Sequence, residues 1–160
     1  MAETESYYYR GTTRGWPGSP NLVEFRVTFA TTDPLVATLF AIECRSRGEA
    51  AVLVASAGKF PVLHSASSPV QGPVNLSFTL PEGAVELSVL PSEFERDADY
   101  IIPVEDAISL LIGLGFDPLP ARIASHAQLD ELIRETYNAG QRLTLRQIHE
   151  FNRMLRGGVL

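Results

Sequence analysis

Between residues 22 and 56 the hydrophobic period changes twice, and that change constrains the fold more than any other feature. In LVEFRVTFATT (22–32), Val23, Phe25, Val27 and Phe29 alternate with Glu24, Arg26 and Thr28, the period-2 signature of a half-buried strand. At Asp33-Pro34 the spacing switches. Asp is a favoured N-cap and Pro loses no needed N–H at the first helical position. Leu35, Val36, Leu39, Phe40 and Ile42 then recur at helical spacing to about Arg47, where Gly48 ends the run. AAVLVAS (50–56) follows as a buried strand. A strand, a helix and a strand within 35 residues require a layered structure with a sheet on one side and a helix on the other.

Upstream, SYYYRGT reads as an opening strand, because consecutive tyrosines favour extended backbone. WPGSPN (16–21) is a loop by its prolines and glycine. Downstream, residues 57–104 are β-rich and punctuated by Gly58, Pro61, Pro69, Gly72 and Pro73. Strands are expected at 74–80 and 84–90, joined by a turn at Pro81-Glu82-Gly83. PSEFERDADYIIP (91–103) reads as an acidic loop entering a short apolar strand. Helices are expected at 105–114, 127–138 and 144–156, the last capped by Thr144 and docking through Leu145, Ile148, Phe151, Asn152 and Leu155. The fold class expected is α+β: a small, split, antiparallel-rich sheet with flanking helices and a C-terminal helical segment. Its β-rich core would span 1–104, with 105–160 packed on it as a helical extension of one domain.

At 160 residues the chain can bury a full core. A net charge of −6 argues against a general nucleic-acid binder. The single cysteine, Cys44, excludes an intramolecular disulfide and reads as a structural thiol. His64, His126 and His149 are far apart, so no metal is expected. No apolar run is long enough for a membrane span, and MAETESYYYR does not resemble a secretory signal, so a cytoplasmic location without membrane partners is expected; delivery as an effector stays open. The chain has no GxxxxGK[ST] phosphate loop, no GxGxxG after a strand and no GxSxG elbow.

Three stretches remain, and their order matters. Tyr9-Arg10-Gly11-Thr12 ends a strand with an arginine and a glycine directly after an aromatic. Phe29-Ala30-Thr31-Thr32-Asp33-Pro34 ends a strand in two threonines and starts a helix. An acid-rich stretch enters Tyr100-Ile101-Ile102-Pro103. This order resembles the motifs of the ADP-ribosyltransferase superfamily, enzymes that cleave the nicotinamide bond of NAD, a family rich in bacterial toxins.

The resemblance covers about residues 6–104. It implies that NAD is the substrate and that ADP-ribose passes to an acceptor, whether protein, nucleic acid or small molecule. With water as acceptor the activity is that of an NAD glycohydrolase. It further implies that Arg10 acts in catalysis by holding the NAD phosphate or ribose, that Gly11 and Thr12 lie against the bound dinucleotide, and that Phe29 packs on nicotinamide. Thr31 and Thr32 would bond the ribose or orient the acid. The acid directly before the last strand is Asp99, with Asp97 two residues earlier. If that strand starts sooner, Glu95 takes the role with Glu93 two before it. Asp99 is one methylene shorter than the family's usual Glu, and Ala30 stands where a serine is common. Two other classes stay open: a non-catalytic domain of the same fold, and an interaction module such as an immunity protein paired with a toxin, for which negative charge suits a basic partner.

Overall fold

The computed structural model describes residues 6–16, 26–65, 69–71, 77–79, 84–116, 119–140 and 143–157. The expected strand positions 22–25, 74–76 and 80, most of the 16–21 loop and the turn at 81–83 lie outside the described residues.

The opening strand β1 is Tyr7–Thr13, followed by β2 (Thr28–Thr31), helix α1 (Pro34–Cys44) and β3 (Ala50–Ser56). Then come β4 (Val62–Ser65), β5 (Pro69–Gln71), β6 (Ser77–Thr79), β7 (Ala84–Leu87), a short helix α2 (Pro91–Arg96) and β8 (Tyr100–Pro103). Helices α3 (Val104–Gly113), α4 (His126–Asn138) and α5 (Leu145–Arg156) complete the chain. Six strands form one antiparallel sheet in the order β4-β7-β2-β1-β3-β8, and β5 pairs with β6 as a separate ribbon. The architecture is α+β.

The switch at Asp33 occurs as its residues dictate. The Asp33 carboxylate accepts from the Leu35 amide at 2.9 Å, Pro34 opens the helix, and Thr31 Oγ1 accepts from the Asp33 amide at 3.1 Å. Helix α1 then lies across β1 and β3. Nearly every residue of α1 is buried, so it shows no amphipathic face; it is enclosed between the sheet and the later helices.

Alternation along β1 sends Tyr7 and Tyr9 into the core with α1, while Tyr8 packs against the opposite face. The first core joins side chains of β1, α1, β3, β8 and all three C-terminal helices. Tyr9, fully buried, donates from its hydroxyl to Asn152 Oδ1 of α5, and the Phe151 ring meets it edge-on at 5.9 Å. Thr144 caps α5, reciprocally with Gln147. The smaller second core holds Ala30, Leu53, Ala55, Phe60, Val85, Leu87, Val89 and Phe94.

Three sequence expectations are corrected. Residues 91–96 form a helix rather than an acidic loop, anchored by buried Phe94. The strands at 77–79 and 84–87 are not a hairpin: β6 pairs with β5, while β7 is inserted between β4 and β2. Leu145 does not dock, being 75% exposed, because it sits in the first turn of α5, beyond the edge of the core.

Candidate functional site

The six-stranded sheet has a seam. β1 and β3 are in register over seven residue pairs and β2 and β7 over four, but β1 and β2 share a single registered pair, Tyr9 with Thr31. The sheet is therefore two three-stranded halves, β4-β7-β2 and β1-β3-β8, joined narrowly at their middle. Arg10 lies one residue beyond the joining pair. It is not at the end of β1, where the sequence placed it, but central in a central strand.

Arg10 NH1 donates to the Phe29 carbonyl across the seam at 2.9 Å. Its Nε is buried and makes no hydrogen bond among the described residues. None of the ion pairs among the described residues involves it. Desolvation pushes the guanidinium down to about 10, with weaker opposing contributions from Cys44 and Glu95. It stays charged at neutral pH. Among the described residues its one hydrogen bond is to a neutral carbonyl, a costly arrangement for a desolvated charge that a bound anion would compensate.

Gly11, its neighbour, is explained by packing. A Cβ built there would lie 1.9 Å from the Ala37 carbonyl oxygen and 2.6 Å from the Ala41 amide of α1. The glycine is what lets α1 sit directly on β1. Thr12 is buried, with its hydroxyl 3.3 Å from the Thr13 carbonyl. Phe29 is half-buried, Thr31 is buried and Thr32 is exposed.

The two candidate acids lie at opposite ends of β1. Asp99 accepts from the Ser56 amide at 2.7 Å, the Ser56 hydroxyl at 2.8 Å and Lys59 Nζ at 2.9 Å. Ser56 is opposite Tyr7, three residues from Arg10, so the separation along the strand is about 10 Å. Partial burial raises the Asp99 carboxyl, but the hydrogen bonds from Lys59 and Ser56 outweigh it and hold the group below its ordinary range. Glu95 accepts from Arg14 Nε at 2.8 Å and the Gly15 amide at 3.0 Å, past the other end of β1. Both carboxylates are held by donors from this chain.

A third acid escaped the sequence reading. Glu86, in the middle of β7, is buried and in direct register with Phe29, whose carbonyl holds Arg10. Strands β7 and β1 are two spacings apart, about 10 Å. The signal was present in AVEL, where an acid interrupts an apolar strand. Phe29 and Glu86 thus mark one row running from the seam into the β4-β7-β2 half.

A cavity of about 770 Å3 lies elsewhere, between α1, α4 and the start of α5, lined by Leu35, Leu39, Phe116, Leu119, Leu132 and Gln147 among others; it contains none of the motif residues. Among the described residues, no group of three or more His, Cys, Asp or Glu is placed to hold a metal, and no helix is long and apolar enough to cross a membrane. Comparison of the chain with protein-family models, curated proteins and solved structures finds no match.

Proposed function

We propose that the chain binds NAD at the β1–β2 seam and cleaves its nicotinamide–ribose bond, transferring ADP-ribose to an acceptor. The observation that carries this reading is Arg10: a buried guanidinium, tied across the seam to Phe29, with a spare Nε donor and no carboxylate partner among the described residues. A dinucleotide pyrophosphate supplies the missing negative charge and the oxygens for a forked contact. The Thr31-Thr32-Asp33-Pro34 turn at the joining pair adds hydroxyls on the β2 side.

In the reaction, the bond between the ribose anomeric carbon and the nicotinamide ring nitrogen breaks. Nicotinamide departs as a neutral molecule with the bonding pair, leaving an oxocarbenium-like ribose. A carboxylate stabilises that cation, and the acceptor nucleophile adds to the same carbon while losing its proton. The resemblance assigns the carboxylate to Asp99 or Glu95. Glu86, buried and opposite Phe29, is a third candidate for that carboxylate. Phe29, half-buried and opposite Glu86, would pack on the nicotinamide ring.

The engagement of Asp99 by Lys59 and Ser56 favours a second reading, a non-catalytic domain that binds a phosphate-bearing partner without turnover. One experiment separates the two. NAD is titrated into the wild-type chain and into Arg10→Gln, Glu86→Gln and Asp99→Asn, and free nicotinamide is measured by chromatography. The enzyme reading expects Arg10→Gln to weaken binding about 10-fold or more and Glu86→Gln to lower release about 100-fold or more. Binding without release selects the second reading. Absence of binding at millimolar NAD overturns both.

A further inference from the structure

The seam is cross-braced by α2. Phe94, fully buried and stacked on Phe60 with ring centroids 5.2 Å apart, fixes this short helix to the sheet. From that anchor one glutamate reaches each half of the sheet. Glu95 accepts from Arg14 Nε at 2.8 Å and the Gly15 amide at 3.0 Å, immediately after β1. Glu93 accepts from Arg26 at 2.8 Å, immediately before β2.

The backbone on both sides is shaped for these contacts. Gly15 has φ +78° in a turn closed by the Trp16 amide on the Thr13 carbonyl at 3.1 Å. Arg26 has φ +51°, a left-handed conformation that costs a non-glycine residue energy and persists where surrounding contacts hold it. The two glutamates are sheltered, with side chains only 16% and 20% exposed, while Arg14 and Arg26 are the more exposed members at 41% and 58%. The acids are the fixed members of each pair.

We propose that Glu93 and Glu95 are positioning residues that set the width of the seam, and through it the anion site at Arg10. One strand of each half leaves the narrow Tyr9–Thr31 junction. Its far end is tied to the same rigid helix, so the two halves cannot splay independently. Glu95 then acts through the backbone at Gly15 and needs no contact with a substrate. The anion's identity rests on the NAD reading above; the brace does not.

The test has two arms. Amide hydrogen exchange over residues 9–13 and 28–31 is compared in wild type, Glu93→Gln, Glu95→Gln and the surface-side variants Arg14→Gln and Arg26→Gln, which break the same pairs from the solvent side and leave the buried core unaltered. The brace expects exchange at both seam strands to accelerate about fivefold, with α4 and α5 unchanged. Unchanged seam exchange in folded variants overturns it.

In the second arm, affinities for NAD and for inorganic pyrophosphate are measured in a cycle with Arg10→Gln. Breaking the brace weakens binding about fivefold when Arg10 is present and not at all when it is absent. A purely structural role for the glutamates gives the same loss in both backgrounds and overturns the coupling. If wild type binds neither probe, the NAD reading fails, and the exchange arm alone decides the brace.

Discussion

Replacing Gly11 with alanine separates two explanations of the same residue. If the glycine exists to admit a ligand to the backbone, alanine leaves stability intact and removes binding. If it exists to admit α1, alanine damages the fold itself. The new Cβ would lie 1.9 Å from the Ala37 carbonyl oxygen, 2.6 Å from the Ala41 amide and 2.8 Å from Phe40 Cβ. The first two are backbone atoms in the middle of a helix, so no rotamer change relieves them. Restoring van der Waals separation requires α1 to retreat from β1 by roughly 1.5 Å.

That retreat is expensive because α1 carries Leu35, Val36, Leu39 and Ile42 into the first core, where each is at most 3% exposed. Overpacking a tight interior costs about 1–3 kcal/mol and sometimes more. A clash with helix backbone belongs at the upper end, about 3 kcal/mol. For a domain of this size that lowers Tm by roughly 6–12 °C. The measurement is a thermal melt by calorimetry or circular dichroism, with an NAD titration on the same samples below the transition. A Tm within about 2 °C of wild type refutes the packing argument, and lost binding alongside it returns Gly11 to the ligand.

Two further outcomes follow from the same coordinates. Tyr9→Phe removes the donor to Asn152, which is 1% exposed and then keeps a buried, unsatisfied oxygen; urea denaturation should show a loss of about 1–3 kcal/mol, partly recovered in the double variant Tyr9→Phe/Asn152→Leu. Asp99 has a folded-state carboxyl below its ordinary value of 3.8, so its stabilising effect is present above that pH and is lost as pH falls through the lower folded value; wild type should exceed Asp99→Asn in stability at pH 5–7, by a margin that shrinks below about pH 4.

The elements legible from sequence were those whose signals are local. The Asp33-Pro34 cap, the tyrosine-rich β1 and the apolar run of β3 each depend on residues within one element, and the structure forms all three as expected. The alternation read at 22–32 did not hold among the described residues, where β2 starts only at Thr28 and Thr28 itself is buried. Helix α2 was not legible, because six residues with two apolar positions, Pro91 and Phe94, carry no period to read and an acidic run is equally the mark of a loop. The pairing of β7 was missed for a different reason. Adjacent strands in sequence usually pair, but β7 fits between β4 and β2 through contacts formed far along the chain. The seam is a property of pairing that is lacking between β1 and β2. No residue in either strand announces it, so Arg10 read as a strand-end charge when it lies mid-strand beside the gap.

The adjacency of Arg10 and Gly11 then has a physical origin in the pleat. Successive residues of a strand address opposite faces. In β1 the odd positions Tyr7, Tyr9 and Gly11 meet the helices, the last by having no side chain at all. The even position Arg10 points away from α1 and turns into the seam, to the Phe29 carbonyl. One residue fixes how closely the helix approaches, and the next supplies the charge at the gap. Because α1 begins at the Thr31-Thr32-Asp33 turn, the depth at which Gly11 seats the helix also fixes where that turn stands relative to Arg10. The motif is therefore a packing device joined to a charge, and the charge is the part left for chemistry.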